Sequence, residues 1–299
     1  MNPTPPFAGV WPAITTPFDE SGRIDHEALA EQADGLVQAG VHGLVALGSL
    51  GEGGTLSLPE KRAVVKTLVG CPRRVPVVAA VSALATDEAV AFARTASDLG
   101  VRGLMVLPPY AYVGAESEME AHMAAVFSAT TLPCMLYNNP IAYGTDFTPE
   151  AIRRLADRHP NLVAVKESSA DVRRLHALRA LMGERLLLSV GVDDLLVESI
   201  AAGARGWIAG LANAFPAESM RLFHLAQTGS RAECETLYHW FLPLLRLDTR
   251  PHFVQCIKLA QERTGLGSER VRPPRLPLEG SERQEVLAVI DAAIAARPS

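Results

Sequence analysis

Four cysteines stand in 299 residues, Cys71, Cys134, Cys234 and Cys256, and no two of them form a CxxC pair. That scatter indicates neither a zinc site nor a small disulfide framework and leaves them as core thiols. No apolar run approaches the roughly 20 residues of a membrane span, and the opening MNPTPPFAGVWPAITTPF has no basic segment followed by a long apolar one. A cytoplasmic location with no membrane partner is expected. Positive charge is not in excess: 28 Lys and Arg face 33 Asp and Glu, a formal charge of −5, which offers no basic surface for nucleic acid. GSLGEGG (48–54) is rich in glycine, yet it is neither GxGxxG nor GxxxxGK[ST], so a dinucleotide site and a phosphate loop are not indicated. None of the eight histidines stands in HExxH or a comparable ligand cluster, and neither a metal nor an organic cofactor is expected. What these absences leave open is small-molecule chemistry on a globular scaffold.

With 48% hydrophobic and 20% charged residues, the chain can bury a large core. Eight short apolar runs read as strands: 9–18, 43–49, 75–82, 103–109, 132–139, 162–168, 185–191 and 205–210. Between them lie segments with apolar residues at three and four spacing, such as 25–40, 86–100, 171–183 and 193–203. Several of these open on an acidic or hydroxyl residue and close on glycine, as helices do. Strands rich in Val and Leu without clean alternation are buried on both faces, which means parallel. Eight such βα units within about 230 residues fit an α/β (β/α)8 TIM barrel better than an open Rossmann-like sheet. After Phe215 only helical patterns follow, with the proline-rich VRPPRLPLEG (271–280) between the last two. The expected organisation is a barrel over 1–229 that carries the active site, then a C-terminal helical extension over 230–299.

The C-terminal ends of barrel strands make the active-site face. Thr15, Thr16, Gly48, Ser49, Glu52, Tyr110, Tyr137, Asn138 and Lys166 all fall at such ends. A lysine in an apolar pocket tends to lose its proton, because desolvation disfavours the charged form. The neutral amine can attack a ketone to form a Schiff base, and a nearby tyrosine can move the protons this requires. Lys166 with Tyr137 is that pair. The plainer alternatives are a Lys166 that caps the sheet or pairs with Glu167, and a Tyr137 that is only a core aromatic.

GSLGE (48–52), MLYNNP (135–140) and LVAVKES (162–168), in this order and spacing, resemble the dihydrodipicolinate synthase and N-acetylneuraminate lyase family. The similarity runs from about Gly9 into the C-terminal helices. It implies a (β/α)8 barrel with a helical extension, Schiff-base chemistry on small 2-oxo acids, and assembly as a homotetramer or homodimer. Trp240, Phe241 and Leu244 either serve such contacts or pack on the barrel. By position, the resemblance makes Lys166 the Schiff-base lysine and Tyr137 the proton shuttle, relayed through Ser49. Ser49 and Leu50 would offer backbone N–H groups to the substrate carboxylate, with Gly48, Tyr110 and Tyr143 also in the substrate site, and Ile208 the strand-8 backbone that approaches the keto acid.

Two departures point away from the synthases of that family. Ala142 stands where they carry an arginine for the second substrate, and PPYAY places Tyr110 and Tyr112 where they have adjacent tyrosines. With Tyr143, these make the pocket more aromatic and less cationic. YNNPIAYG and TGLGSERVRPPRLPL resemble the hydroxyproline-catabolic branch, which acts on a cyclic imine, 1-pyrroline-4-hydroxy-2-carboxylate. The leading expectation is therefore a class I lyase on a 2-oxo or 2-imino acid, by dehydration and deamination. The alternatives are a dihydrodipicolinate synthase, an aldolase of 2-keto-3-deoxy sugar acids or N-acetylneuraminate, and a noncatalytic keto-acid sensor. Retention of both Lys166 and Tyr137 speaks against the last.

Overall fold

The computed structural model describes residues 7–71, 75–229 and 231–298. The first six residues of the opening segment, read above for a leader, lie outside the described residues. Eight strands form one parallel sheet: β1 (Gly9–Pro12), β2 (Leu44–Ala46), β3 (Val77–Val81), β4 (Gly103–Val106), β5 (Cys134–Asn138), β6 (Leu162–Glu167), β7 (Leu187–Val190) and β8 (Gly206–Ala209). Their order is β1-β8-β7-β6-β5-β4-β3-β2, and a parallel bridge from Ala13 to Val45 joins the two ends. The expected (β/α)8 barrel is thus the fold.

Each observed strand is shorter than its apolar run, and β1 shows why. The run was expected to continue to Phe18, but Ala13 N–H donates to Ala209 of β8 while Ile14 N–H donates to Val45 of β2. The chain changes hydrogen-bonding neighbours within two residues, which closes the barrel and ends regular pairing. β3, VVAAV, is buried at all five positions, as a strand covered on both faces should be.

The connecting helices are α1 (His26–Gln38), α2 (Leu58–Val69), α3 (Thr86–Asp98), α4 (Glu116–Ser128), the short α5 (Pro140–Tyr143), α6 (Pro149–Arg158), α7 (Arg173–Met182), α8 (Leu196–Ala201) and α9 (Pro216–Thr228). Their starts are chemically marked. Asp25 accepts from Ala28 N–H at 3.0 Å, and Ser57 with Glu60 forms a capping box on α2. α5 had no counterpart in the periodicity; Asn139 nucleates it by accepting from Ala142 N–H at 3.0 Å, with Pro140 at its first position.

Three further helices follow: α10 (Arg231–Leu245), α11 (Phe253–Thr264) and α12 (Gly280–Ala295). They share one core with the barrel. Phe215 meets Phe241 edge-on at 5.9 Å and Trp240 at 6.2 Å, and Phe241 and Leu244 are fully buried, so these apolar residues are used within the chain. α11 also sends Lys258 beneath the rim, where Nζ donates to Thr16 O at 2.8 Å and Glu52 Oε1 at 2.7 Å. Arg272 N–H donates to the other Glu52 oxygen at 3.0 Å. Glu52, placed on the reactive rim by sequence position, is instead a buried anchor for the extension. All four cysteines are free and buried. Among the described residues no helix is long and apolar enough to cross a membrane.

Candidate active site

Alternation along β6 sends Lys166 and Glu167 to opposite faces. Glu167 is held by Ser169 N–H at 2.8 Å and Asn138 Nδ2 at 3.2 Å, so it is not the partner of Lys166. Lys166 points into the barrel with a relative exposure of 7%, opposite Tyr137 in the β5–β6 register, its Nζ 3.9 Å from the Tyr137 ring centroid. No described residue gives that ammonium a hydrogen bond or an ion pair. Burial lowers the Lys166 pKa from its ordinary value, while Tyr143, Asp248 and Asp193 act in the opposite sense. Space for the side chain depends on Gly191 at the end of β7, since a Cβ there would stand 2.7 Å from Lys166 Cε.

Around the amine stand three hydroxyls and a second ring. Tyr137 and Tyr143 meet edge to face at 5.7 Å, and the Ser49 hydroxyl hydrogen-bonds the Tyr143 hydroxyl. Asn139 Nδ2 donates to the Tyr137 hydroxyl at 3.1 Å. Burial raises the pKa of both phenols, so each is protonated at neutral pH. Tyr143 thus stands between Tyr137 and Ser49, the two ends of the expected relay. Ser168 Oγ is buried without a hydrogen-bond partner, close enough to Tyr137 to favour its phenolate.

The loop after β2 supplies the other half of the site. The N–H groups of Ser49 and Leu50 find no acceptor among the described residues, although Leu50 is buried. Unsatisfied buried donors are rare and mark a place for an anion. Thr16 fixes the loop by donating to Gly51 O at 2.7 Å. Gly48 is adjacent, but a Cβ there would meet only Met105 at 3.7 Å, so no close approach requires glycine. Ile208 is buried in β8, in register with Trp11 of β1. Tyr110 is 40% exposed with its ring 6.0 Å from Tyr143, at the mouth; Ala142 is exposed on α5, and Tyr112 is exposed as well.

Two acids escaped the sequence reading. Asp193, fully buried just after β7, accepts from Trp207 Nε1 at 2.8 Å, Leu211 N–H at 2.7 Å and Gly210 N–H at 3.1 Å. Asp248 reaches the same place from the 3-10 turn Arg246–Thr249 that follows α10. Asp193 carried a faint signal, as a carboxylate two residues past the glycine that ends a strand. Asp248 carried none, because its segment lies outside the βα pattern that defines a barrel rim.

An amine without a counter-ion, a chain of hydroxyls and two orphan amides can together hold a 2-oxo acid, form an iminium at C2 and move a proton at C3. The chain matches the dihydrodipicolinate synthetase family over residues 6–293. It is 34% identical over 288 residues to a 4-hydroxy-tetrahydrodipicolinate synthase of Natronomonas pharaonis, covering 95% of this chain and 97% of that protein. Among solved structures, a protein provisionally assigned as a dihydrodipicolinate synthetase of Pseudomonas aeruginosa superposes with a TM-score of 0.90 at 33% identity, over 96% of this chain and 99% of that one. YagE of Escherichia coli K12, a protein of the same family solved with pyruvate, gives a TM-score of 0.90 at 28% identity, over 97% and 99% of the two chains.

Proposed function

The chain belongs to the dihydrodipicolinate synthetase family, a family of class I aldolase-type lyases, and from that premise we propose that it dehydrates and deaminates a hydroxylated cyclic 2-imino acid of the 1-pyrroline-4-hydroxy-2-carboxylate type. Lys166 is the nucleophile, Tyr137 the proton shuttle, and Tyr143 with Ser49 the relay behind it. The N–H groups of Ser49 and Leu50 bind the substrate carboxylate. Gly48 and Ile208 give backbone to the pocket, and Tyr110 closes its mouth.

One observation carries the choice of substrate. The acidic groups that act on Lys166 are the carboxyls of Asp193 and Asp248, with no guanidinium beside them, and Ala142 offers none from α5. A second substrate with its own carboxylate, such as aspartate semialdehyde, finds no counter-charge here. An uncharged hydroxyl and a nitrogen that leaves as ammonium suit an acidic wall.

The steps follow from the placement. The neutral Lys166 amine adds to C2 of the ring imine, and the bond from C2 to the ring nitrogen breaks. That nitrogen takes a proton and departs as the C5 amine, leaving a lysine iminium. Tyr137 accepts the C3 proton while passing its own toward Tyr143 and Ser49, which gives the enamine. Loss of the C4 hydroxyl as water, tautomerisation and hydrolysis then release ammonia and a dicarbonyl acid. Over the whole cycle one water is consumed and one ammonia is formed.

A second reading, condensation of pyruvate with aspartate semialdehyde, is favoured by the names of relatives such as the Natronomonas synthase. One experiment separates the two. The protein is incubated with pyruvate and separately with the pyrroline acid, reduced with borohydride and peptide-mapped, and turnover of each substrate set is measured. We expect adducts on Lys166 with both compounds and turnover of the pyrroline acid alone. Comparable condensation rates with aspartate semialdehyde would reverse the assignment. The same preparation tests assembly: we expect a homo-oligomer, a tetramer or dimer, by sedimentation.

A further inference from the structure

The steps above use neither Asp193 nor Asp248, and the surroundings of the two carboxyls differ. Both carboxyls crowd Gly210 at the end of β8: a Cβ built there would stand 2.2 Å from Asp248 Oδ1 and 3.3 Å from Asp193 Oδ2. Two carboxyls so close do not both ionise readily. Asp193 has three N–H donors that favour its carboxylate, from Trp207, Gly210 and Leu211, whereas Asp248 has no hydrogen bond from any described residue. The shared proton therefore belongs on Asp248.

The position also fits. Lys166 on β6 and Tyr137 on β5 both lie within electrostatic reach of the Asp248 carboxyl, and Asp194, which pairs with Arg246 at 3.5 Å, adds a further negative neighbour to it. Burial together with Asp193 drives the Asp248 carboxyl well above the usual range, and Asp193 itself rises to about 6. A carboxylic acid that keeps its proton at neutral pH is what departure of a hydroxyl needs, since hydroxide is a poor leaving group.

We propose that Asp248 is the general acid that protonates the departing C4 hydroxyl of the substrate. This rests on the dehydrating and deaminating reading above. In this step the enamine nitrogen lone pair forms the C2=N bond of the iminium, the C2=C3 pair shifts to C3=C4, and the C4–O bond breaks. The oxygen leaves with the Asp248 proton as water. Enamine and acid begin neutral, and iminium cation and Asp248 carboxylate end as an ion pair. Solvent returns the proton before the next cycle. A carboxyl brought in by the helical extension thus converts a lysine barrel that makes enamines into one that eliminates water.

The test compares the wild-type protein with Asp248→Asn in two assays. The first is turnover of 1-pyrroline-4-hydroxy-2-carboxylate; the second is exchange of the C3 protons of 1-pyrroline-2-carboxylate in D2O, which needs the Schiff base and enamine but no leaving group. In Asp248→Asn, turnover should fall by about 10²-fold or more, while exchange stays within about threefold of wild type. Asp248→Ala, read in the same way, serves if the amide variant does not fold. Equal losses in both assays would make Asp248 a support for Lys166, and no loss in either would remove it from the reaction; either result overturns the proposal. If the wild-type protein exchanges C3 protons yet leaves the hydroxylated acid untouched, the substrate reading falls and takes this step with it. If it turns that acid over and Asp248→Asn does so equally well, only the role of Asp248 is lost.

Discussion

Two lysines are buried among the described residues, Lys166 on β6 and Lys258 on α11. Lys258 comes from α11, is 1% exposed, and is surrounded by Glu52, Thr16 O and Arg270 O, with Arg275 beyond Glu52 at 3.7 Å. Lys166 has no such ring: it lies over an aromatic face, and the nearest acids act on it only through space. Burial lowers the pKa of both. Only at Lys258 does a carboxylate in direct contact keep the ammonium in place. A buried lysine with all its hydrogen bonds made is architecture, and one left without them is available to react.

The comparison breaks most sharply on replacement by apolar residues. Lys166→Ala should abolish turnover and borohydride trapping, because no other amine is placed to attack C2, and its thermal midpoint should not fall, since no ion pair is lost. Circular dichroism melts alongside assays check both halves; a folded Lys166→Ala protein with activity near wild type would sink the mechanism. Lys258→Met should do the reverse. It takes from Glu52 its closest counter-charge and leaves only Arg275 at 3.7 Å, at a loss of about 3 kcal/mol of stability by denaturant titration. Adding Glu52→Gln should restore part of it. A Lys258→Met protein as stable as wild type would show that the pair does not hold the extension to the loop.

Next in size is the relay. Tyr143→Phe keeps the ring against Tyr137 and removes the hydroxyl that Ser49 contacts. We expect kcat to fall by about 10²-fold with little change in KM, whereas Lys258→Met, in whatever fraction folds, should leave kcat closer to wild type. If Tyr143→Phe is fully active, the proton leaves Tyr137 by another route, with Ser168 the next hydroxyl to test.

The division between these lysines also marks how far the sequence was legible. Eight apolar runs, the glycine loop and the strand-end lysine belong to local patterns, and each appears in the fold where periodicity placed it. Strand ends were overextended because the barrel closes by exchanging hydrogen-bonding neighbours at Ala13 and Ile14, which no local pattern encodes. Glu52 was assigned to the wrong side of its loop because its partner is 206 residues away. For the same reason Asp248 was invisible: its role depends on a return of the chain after the barrel is complete. What sequence alone could not tell was which buried polar groups find partners, since that is decided by contacts distant in the chain.

The smallest effect is a displacement of the pH profile, and it tests the electrostatics of Lys166 alone. Attack on C2 needs the neutral amine, so kcat/KM should rise about tenfold per pH unit on the acid side and level off once Lys166 has lost its proton. Because burial lowers that pKa, the plateau should begin below the ordinary lysine value of 10.5. Asp193 favours the ammonium, and Asp193→Asn removes its charge while keeping an oxygen for one of its two close donors, Trp207 Nε1 or Leu211 N–H. The acid limb should then move to lower pH. Lys258 stays paired with Glu52 and should add no limb in either protein, so Lys258→Arg ought to leave the profile in place. A limb that stays in place in Asp193→Asn would mean that Asp193 is uncharged in the free enzyme, and that the proton assigned to Asp248 sits on its neighbour.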